Sequence, residues 1–277
     1  MINSAMIYKR VKRVVGLLLL AVVLCLAGSV CSSERNESGQ ATELYSAQTH
    51  YDRIVEVVGL PEQADTEGRQ LLVRKSYVVL YNSRTLQPDW VIWRLTAEHA
   101  QGDVPRSNNF REDEEVARPR ATLDDYKRSG WDRGHMCPAG DNKWDEEAMD
   151  ATFLLSNMCP QDASLNSGVW NQIEMDCRSL AERYGELYIV CGPVAGEKPL
   201  EQIGERAIPV PRRFFKAVYC PSEPAWGAGF VCTNDGMNAS SAQYVCTIEE
   251  VEEVTGLRLF PLVTDDGVRT AVNRRMW

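Results

Sequence analysis

Residues 129–141 read SGWDRGHMCPAGD. The stretch sets Asp132, Arg133 and His135 around Gly134 and then adds Cys137 and Pro138, in a chain with only three histidines. An imidazole of ordinary pKa, about 6.5, is the natural general base at neutral pH. Asp132 and Arg133 can orient the ring and hold an anion. Gly134 admits an unusual backbone angle or the close approach of a ligand. On these residues alone two readings stay open: a polar turn with a structural histidine, or a strand end that presents a base.

Downstream, SLNSGVWNQIEMDCRSLAERYG (164–185) reads as a helix. Trp170, Ile173, Cys177 and Leu180 recur at three- and four-residue steps, and Gly185 is the stop signal. At about 100° per residue, Glu174 lies roughly 80° and Arg178 roughly 120° around from Asn166, so the three can flank one cleft. The plainer alternative makes Asn166 a helix cap and Glu174–Arg178 a routine surface pair. Upstream, LLVRKSYVVLYN (71–82) and DWVIWRLTA (89–97) are β-rich and joined as a hairpin, followed by an exposed loop to Ala121. ELYIVCGPV, RFFKAVYC and GAGFVCTN supply further strands, and TIEEVEEVTG a short amphipathic helix ended by Gly256. Strands, then a helix, then strands, with no internal linker, predict one α+β domain.

The N-terminus is of another kind. Lys9, Arg10, Lys12 and Arg13 precede an apolar run from Gly16 to Gly28, the layout of an export signal over residues 1–30. Cys31 then follows as in a loose bacterial lipoprotein signal, and residues 31–50 read as a polar linker or tether. The expected location is therefore exported: secreted, periplasmic, or attached to the membrane of the bacterial envelope through a lipidated Cys31. The formal charge is −9, and removal of the four signal cations leaves −13. That excludes a surface coated in positive charge for nucleic acid, though not a local cationic cleft. Of nine cysteines, seven fall in the presumed domain, which in an oxidising compartment predicts disulfides. Cys220 and Cys232, flanking PSEPAWGAGFV, are the expected pair.

WDRGHMCPAGD followed by TFLLSNMCPQDASLNSGVWNQIE resembles the DNA/RNA non-specific endonuclease family, the ββα-metal (His-Me finger) group. ELYIVCGPV, VEEVTGLRLFP and RSNNFRED add to the likeness, which covers roughly Gln70 to Pro261. The resemblance implies a central, mostly antiparallel sheet flanked by helices, over a domain at 51–265 with a C-terminal tail at 266–277. It implies a metal-dependent endonuclease that cuts DNA and RNA without sequence preference, leaving 5′-phosphate and 3′-hydroxyl ends. His135 would be the general base and Asn166 the direct protein ligand of a hydrated Mg²⁺, for which Mn²⁺ can substitute. Glu174 would orient a water near the ion. Arg106, Arg133 and Arg178 would hold phosphates, Arg106 fitting the loop pattern better than Arg111. Asp132 and Gly134 would position the motif. A Cys137–Cys159 disulfide would staple the site, with a transition-metal site on His135, Cys137 and Cys159 as a weaker alternative. Two other functions compete: a nucleic-acid-binding surface lipoprotein without catalysis, and a phosphodiesterase for a non-polymeric substrate.

Overall fold

The computed structural model describes residues 46–235 and 240–277. The export signal, the lipidation of Cys31 and most of the linker lie outside them. The part of the linker inside them is helical: α1 (Ala47–Val57) is closed at its start by a reciprocal Ser46–Thr49 capping box, and it buries His50 and Ile54. Four apolar or aromatic residues recurring through Tyr51, Ile54, Val57 and Val58 give it a face to pack.

Eleven strands follow among the described residues: β1 (Arg69–Val73), β2 (Val78–Asn82), β3 (Gln87–Thr96), β4 (Asp132–His135), β5 (Met158–Gln161), β6 (Glu186–Pro193), β7 (Gln202–Ile203), β8 (Ile208–Pro209), β9 (Arg213–Cys220), β10 (Trp226–Thr233) and β11 (Val245–Cys246). Seven of them form one antiparallel sheet in the order β1-β2-β3-β6-β9-β10-β11. The fold is α+β, as the order of elements predicts. One expected strand is two: the run 71–82 turns over at residues 74–77 and pairs with itself.

The central strands are apolar on both faces because both faces are covered. On β3, Trp90 and Ile92 enter one core with α1 and the C-terminal segments, whereas Val91, Trp93 and Leu95 enter the other. The second core carries α2 (Asn171–Tyr184) through Ile173, Cys177 and Leu180. On the opposite face sit α3 (Ile248–Thr255) and α4 (Asp266–Thr270), which bury Val251 and Val268. Within the C-terminal tail, 266–277, Val268 is buried and Trp277 meets Phe230 edge-on at 4.7 Å.

The seven cysteines among the described residues are free thiols, and strand register explains why the expected pairs do not form. Cys220 lies opposite Trp226 and Cys232 opposite Phe214, six residues along the same hairpin. That is about 20 Å at strand rise, against a Cα limit of about 7 Å for a disulfide. Cys159 lies opposite Gly134, three positions from Cys137, again too far.

Candidate active site

The DRGH stretch is a strand. β4 pairs with β5 so that His135 faces Met158 and Gly134 faces Cys159. Neighbouring residues on a strand point to opposite faces, so Cys159 is directed away from His135 and into the core. Gly134 keeps an ordinary φ; its need is space. A Cβ there would meet Gln161 Oε1 at 2.2 Å and Gln161 Cβ at 2.6 Å. Beyond His135 the chain is pinned by buried Asn157. Its backbone carbonyl accepts from Met136 N, its Oδ1 accepts from Cys137 N, and its Nδ2 donates to the carbonyls of Cys137 and Thr152. Cys137 is a buried structural thiol whose Sγ accepts from Asn142 Nδ2 at 3.4 Å. The transition-metal alternative therefore fails on the direction of its sulfurs, and among the described residues no three His, Cys, Asp or Glu side chains cluster for an ion.

The predicted helix is interrupted. Asp162 caps its first turn by accepting from the amides of Ser164 and Leu165, so Asn166 is not the cap. Residues Asn166–Trp170 then form a π turn with non-helical angles at Gly168 before α2 begins. Such single π turns re-aim side chains and recur at functional sites. Here the turn leaves Asn166 beside β4, where its Nδ2 donates to Asp132 Oδ2 at 3.0 Å. A carboxylate only accepts, so this bond fixes which end of the amide is which. The Asn166 carbonyl oxygen is the end left to the cavity.

That cavity measures about 490 Å³. Arg106, Asp132, Arg133, His135, Asn166, Glu174 and Arg178 all line it, together with Phe110 and the turn Pro138–Gly140. Every side chain expected at the site is brought there except Gly134, which acts beneath it. Of the two loop arginines, Arg106 lines the cavity, and Arg111 is tied to Asp150 at 2.7 Å elsewhere.

His135 packs against a pair of aromatic rings that the sequence did not single out, themselves in edge contact at 4.9 Å. Phe153 meets it edge-on at 4.9 Å and Phe110 at 5.6 Å. Arg106 lies over Phe153 at 4.9 Å and Arg133 over Phe110 at 4.0 Å, so the same rings seat both cations. His135 Nε2 is buried without a partner. Burial first, then Arg106 and Arg133, lower the His135 pKa to about 3, so the imidazole is neutral at pH 7.

Glu174 and Arg178 are not a surface pair. Arg178 is bound by Asp141 Oδ1 at 2.9 Å, and Asp141 Oδ2 accepts from Trp93 Nε1 at 3.0 Å. Glu174 faces Lys216 instead, Oε1 to Nζ at 3.9 Å. Lys216 is fully buried on β9, with its ammonium 4.3 Å from the centre of Trp170 and 5.3 Å from that of Trp93. Burial opposes its charge, but Cys191, Glu174, Cys177 and Asp141 together hold its pKa above the ordinary lysine value. Burial raises the Glu174 pKa to about 7, against the pull of Lys216 and with a further push from Asp141.

A family model described as DNA/RNA non-specific endonuclease matches residues 60–266. Human mitochondrial endonuclease G is 37% identical over 220 residues, covering 73% of this chain and 72% of that protein. Mouse mitochondrial nuclease EXOG is 34% identical over 228 residues, 76% of this chain. The match spans 61% of the mouse protein, so this chain answers to about three fifths of that relative's length. A chain in a crystal structure of an EndoG/EndoGI complex superposes with a TM-score of 0.69 at 31% identity, covering 76% of this chain and 93% of its own.

Proposed function

This chain belongs to the DNA/RNA non-specific endonuclease family, and we propose that it is a metal-dependent endonuclease that hydrolyses phosphodiester bonds of DNA and RNA without reading sequence. The observation that carries the proposal is the single cavity in which a neutral imidazole, a carboxamide oxygen, a high-pKa carboxylate and three guanidiniums converge. A site of phosphate contacts has no need of base edges, which accounts for the lack of sequence preference.

Mg²⁺ fits the donor set. The Asn166 carbonyl is aimed into the cavity by the Asp132 bond, and Mg²⁺ accepts few protein ligands because it keeps much of its water. When bound there, the ion supplies charge stabilisation for the phosphoryl and leaving oxygens. The protein does the rest. Arg106, Arg133 and Arg178 hold the phosphate in place, their planar forks matching its oxygens. His135, neutral and packed against Phe110 and Phe153, takes the proton from the attacking water. Glu174 accepts hydrogen bonds from water beside Asn166 and fixes its orientation. The bond from phosphorus to the 3′-oxygen breaks, that oxygen takes a proton from solvent water and leaves as a hydroxyl, and the 5′-phosphate stays with the other product.

The test is cleavage of supercoiled plasmid and of RNA by purified residues 32–277, with Mg²⁺ and with EDTA. Metal-dependent nicking that His135→Ala abolishes supports the reading; activity in EDTA, or an active His135→Ala protein, refutes it. The cation-start, apolar-middle layout of residues 1–30 carries the companion proposal of export. The mass of the mature N-terminal peptide distinguishes a lipidated Cys31 from plain cleavage.

A further inference from the structure

A second groove, also about 490 Å³, opens beside the catalytic cavity. Asp132 and Arg133 line both, and from them the second groove continues along Trp131, Arg128 and Lys127. Its floor is a tight turn. Lys127 sits at φ −65, ψ 121 and Arg128 at φ 59, with Ser129 N donating to the Tyr126 carbonyl at 3.2 Å. These are the angles of a type II turn, whose third position requires positive φ and is ordinarily Gly or Asn. Here it is an exposed arginine that makes no ion pair with any described residue. A strained residue that the fold does not use is a sign that its side chain acts on something outside the fold. Lys127, also exposed, is 3.9 Å from Asp124, a loose surface pair.

Trp131 is placed differently. It packs against the main core, its amide is held by Ser129 Oγ at 3.2 Å, and its Nε1 donates to Glu201. An indole fixed along its edge and lining a groove between two basic residues and a phosphate-holding arginine is a stacking platform beside a phosphate track. Two acidic groups also line the groove, Asp124 and Asp132, so its three cations Lys127, Arg128 and Arg133 leave one net positive charge.

We infer that this groove binds the nucleotides flanking the cut on an unpaired strand, a base against Trp131 and phosphates on Arg128 and Lys127. The inference rests on the nuclease reading for the direction of the strand, and it extends that reading from one phosphate to a substrate form. A base inside a duplex cannot reach an indole, so the groove favours single strands or locally opened duplexes.

Binding is measured in EDTA, by fluorescence anisotropy of a labelled single strand of about twelve nucleotides and of its duplex. The purified protein is compared with Trp131→Ala and Arg128→Gly. Trp131→Ala is expected to raise Kd for the single strand about tenfold and to leave the duplex within about twofold. Arg128→Gly is expected to weaken both, to reduce the slope of log Kd against log salt by about 0.7 for the single strand, and to melt no lower than the parent, since glycine accepts the positive φ. Unchanged Kd in both variants, or an equal Trp131→Ala loss on duplex and single strand, overturns the inference. Cleavage by the parent protein in Mg²⁺ is scored separately. Absent cleavage with variant-sensitive binding fails the nuclease reading and leaves the groove standing. Cleavage with variant-insensitive binding fails the groove alone.

Discussion

Lys216→Met tests the least expected part of the site. The substitution removes the cation beneath Glu174 and keeps an unbranched side chain of similar bulk between Trp93 and Trp170. Two unit charges 3.9 Å apart attract by about 4 kcal/mol at an effective dielectric constant of about 20. At about 1.4 kcal/mol per pH unit that is some three units of support for the ionised carboxylate. Arg178 and Arg106 also pull on Glu174, and the site relaxes, so an upward move of at least one unit from about 7 is expected. Glu174 is then mostly protonated at neutral pH and turns a donor, where a carboxylate only accepts, toward the water. The assay is kcat/KM for a labelled oligonucleotide at fixed Mg²⁺ between about pH 5 and pH 9. The acid limb should move up by one unit or more, activity at pH 7 should fall roughly tenfold, and the deficit should shrink toward pH 9. Stability should hold or rise, because Met needs no partner where a buried ammonium does. An acid limb that stays in place, or a loss equal at every pH, refutes the coupling of Lys216 to Glu174.

Acid should destabilise the fold through its histidines. Burial lowers the His50 pKa to about 3 and the His99 pKa to about 4. The unfolded chain therefore binds protons, at about 6.5, that the folded chain refuses, so this stability is present above pH 6.5 and is lost as pH falls toward 4. Each such group contributes a slope of about 1.4 kcal/mol per pH unit. His50→Gln, which keeps an acceptor near the Arg94 amide, should flatten the fall in Tm between pH 6.5 and 4.5; an unaltered slope contradicts the assignment. Asp132→Ala removes the acceptor that fixes the Asn166 amide. Half-saturating Mg²⁺ should rise about 10- to 100-fold with little change in Tm, read from cleavage rate against Mg²⁺; an unchanged half-saturation refutes the orienting role.

How far the site could be read from the chain depended on how local each placement is. His135 and its neighbours lie within four residues, and pairing with β5 only aims them. Asn166, Glu174 and Arg178 are carried by one helical segment, so their convergence was visible from periodicity, although the π turn at Gly168 altered the phase that an unbroken helix gives. Lys216 was not visible. RFFKAVYC reads as a further strand, but nothing in it ties Lys216 to the site; it reaches Glu174 because β9 lies between β6 and β10 with Glu174 of α2 facing it, a consequence of topology. Asp141 closes the opening stretch in sequence, but its grip on Arg178 joins residues 37 apart. The seating of His135 by Phe110 and Phe153 likewise joins a loop to a distant turn. The cysteines mislead for the same reason: their number suggests pairing, and strand register decides against it.

Charge links these parts. On the proposed function a chain of net charge −9 would attract its polyanionic substrate locally, and Arg106, Arg133 and Arg178 line the cavity that would do so. Two of them also act on His135, which burial has already made reluctant to take a proton. In the empty site the imidazole is thus neutral far below pH 7 and a weak base. On the proposed mechanism, a phosphate seated on Arg106 and Arg133 would cancel part of their field while the burial remains, and the proton affinity of His135 would recover on substrate binding. The ordering has a kinetic consequence. With the His135 pKa near 3 and the Glu174 pKa near 7, the acid limb of kcat/KM is expected to follow Glu174. The buried lysine sets that limb, and the arginines set the strength of the base. The two therefore separate by mutation, because Lys216 touches Glu174 and is absent from the groups that lower His135.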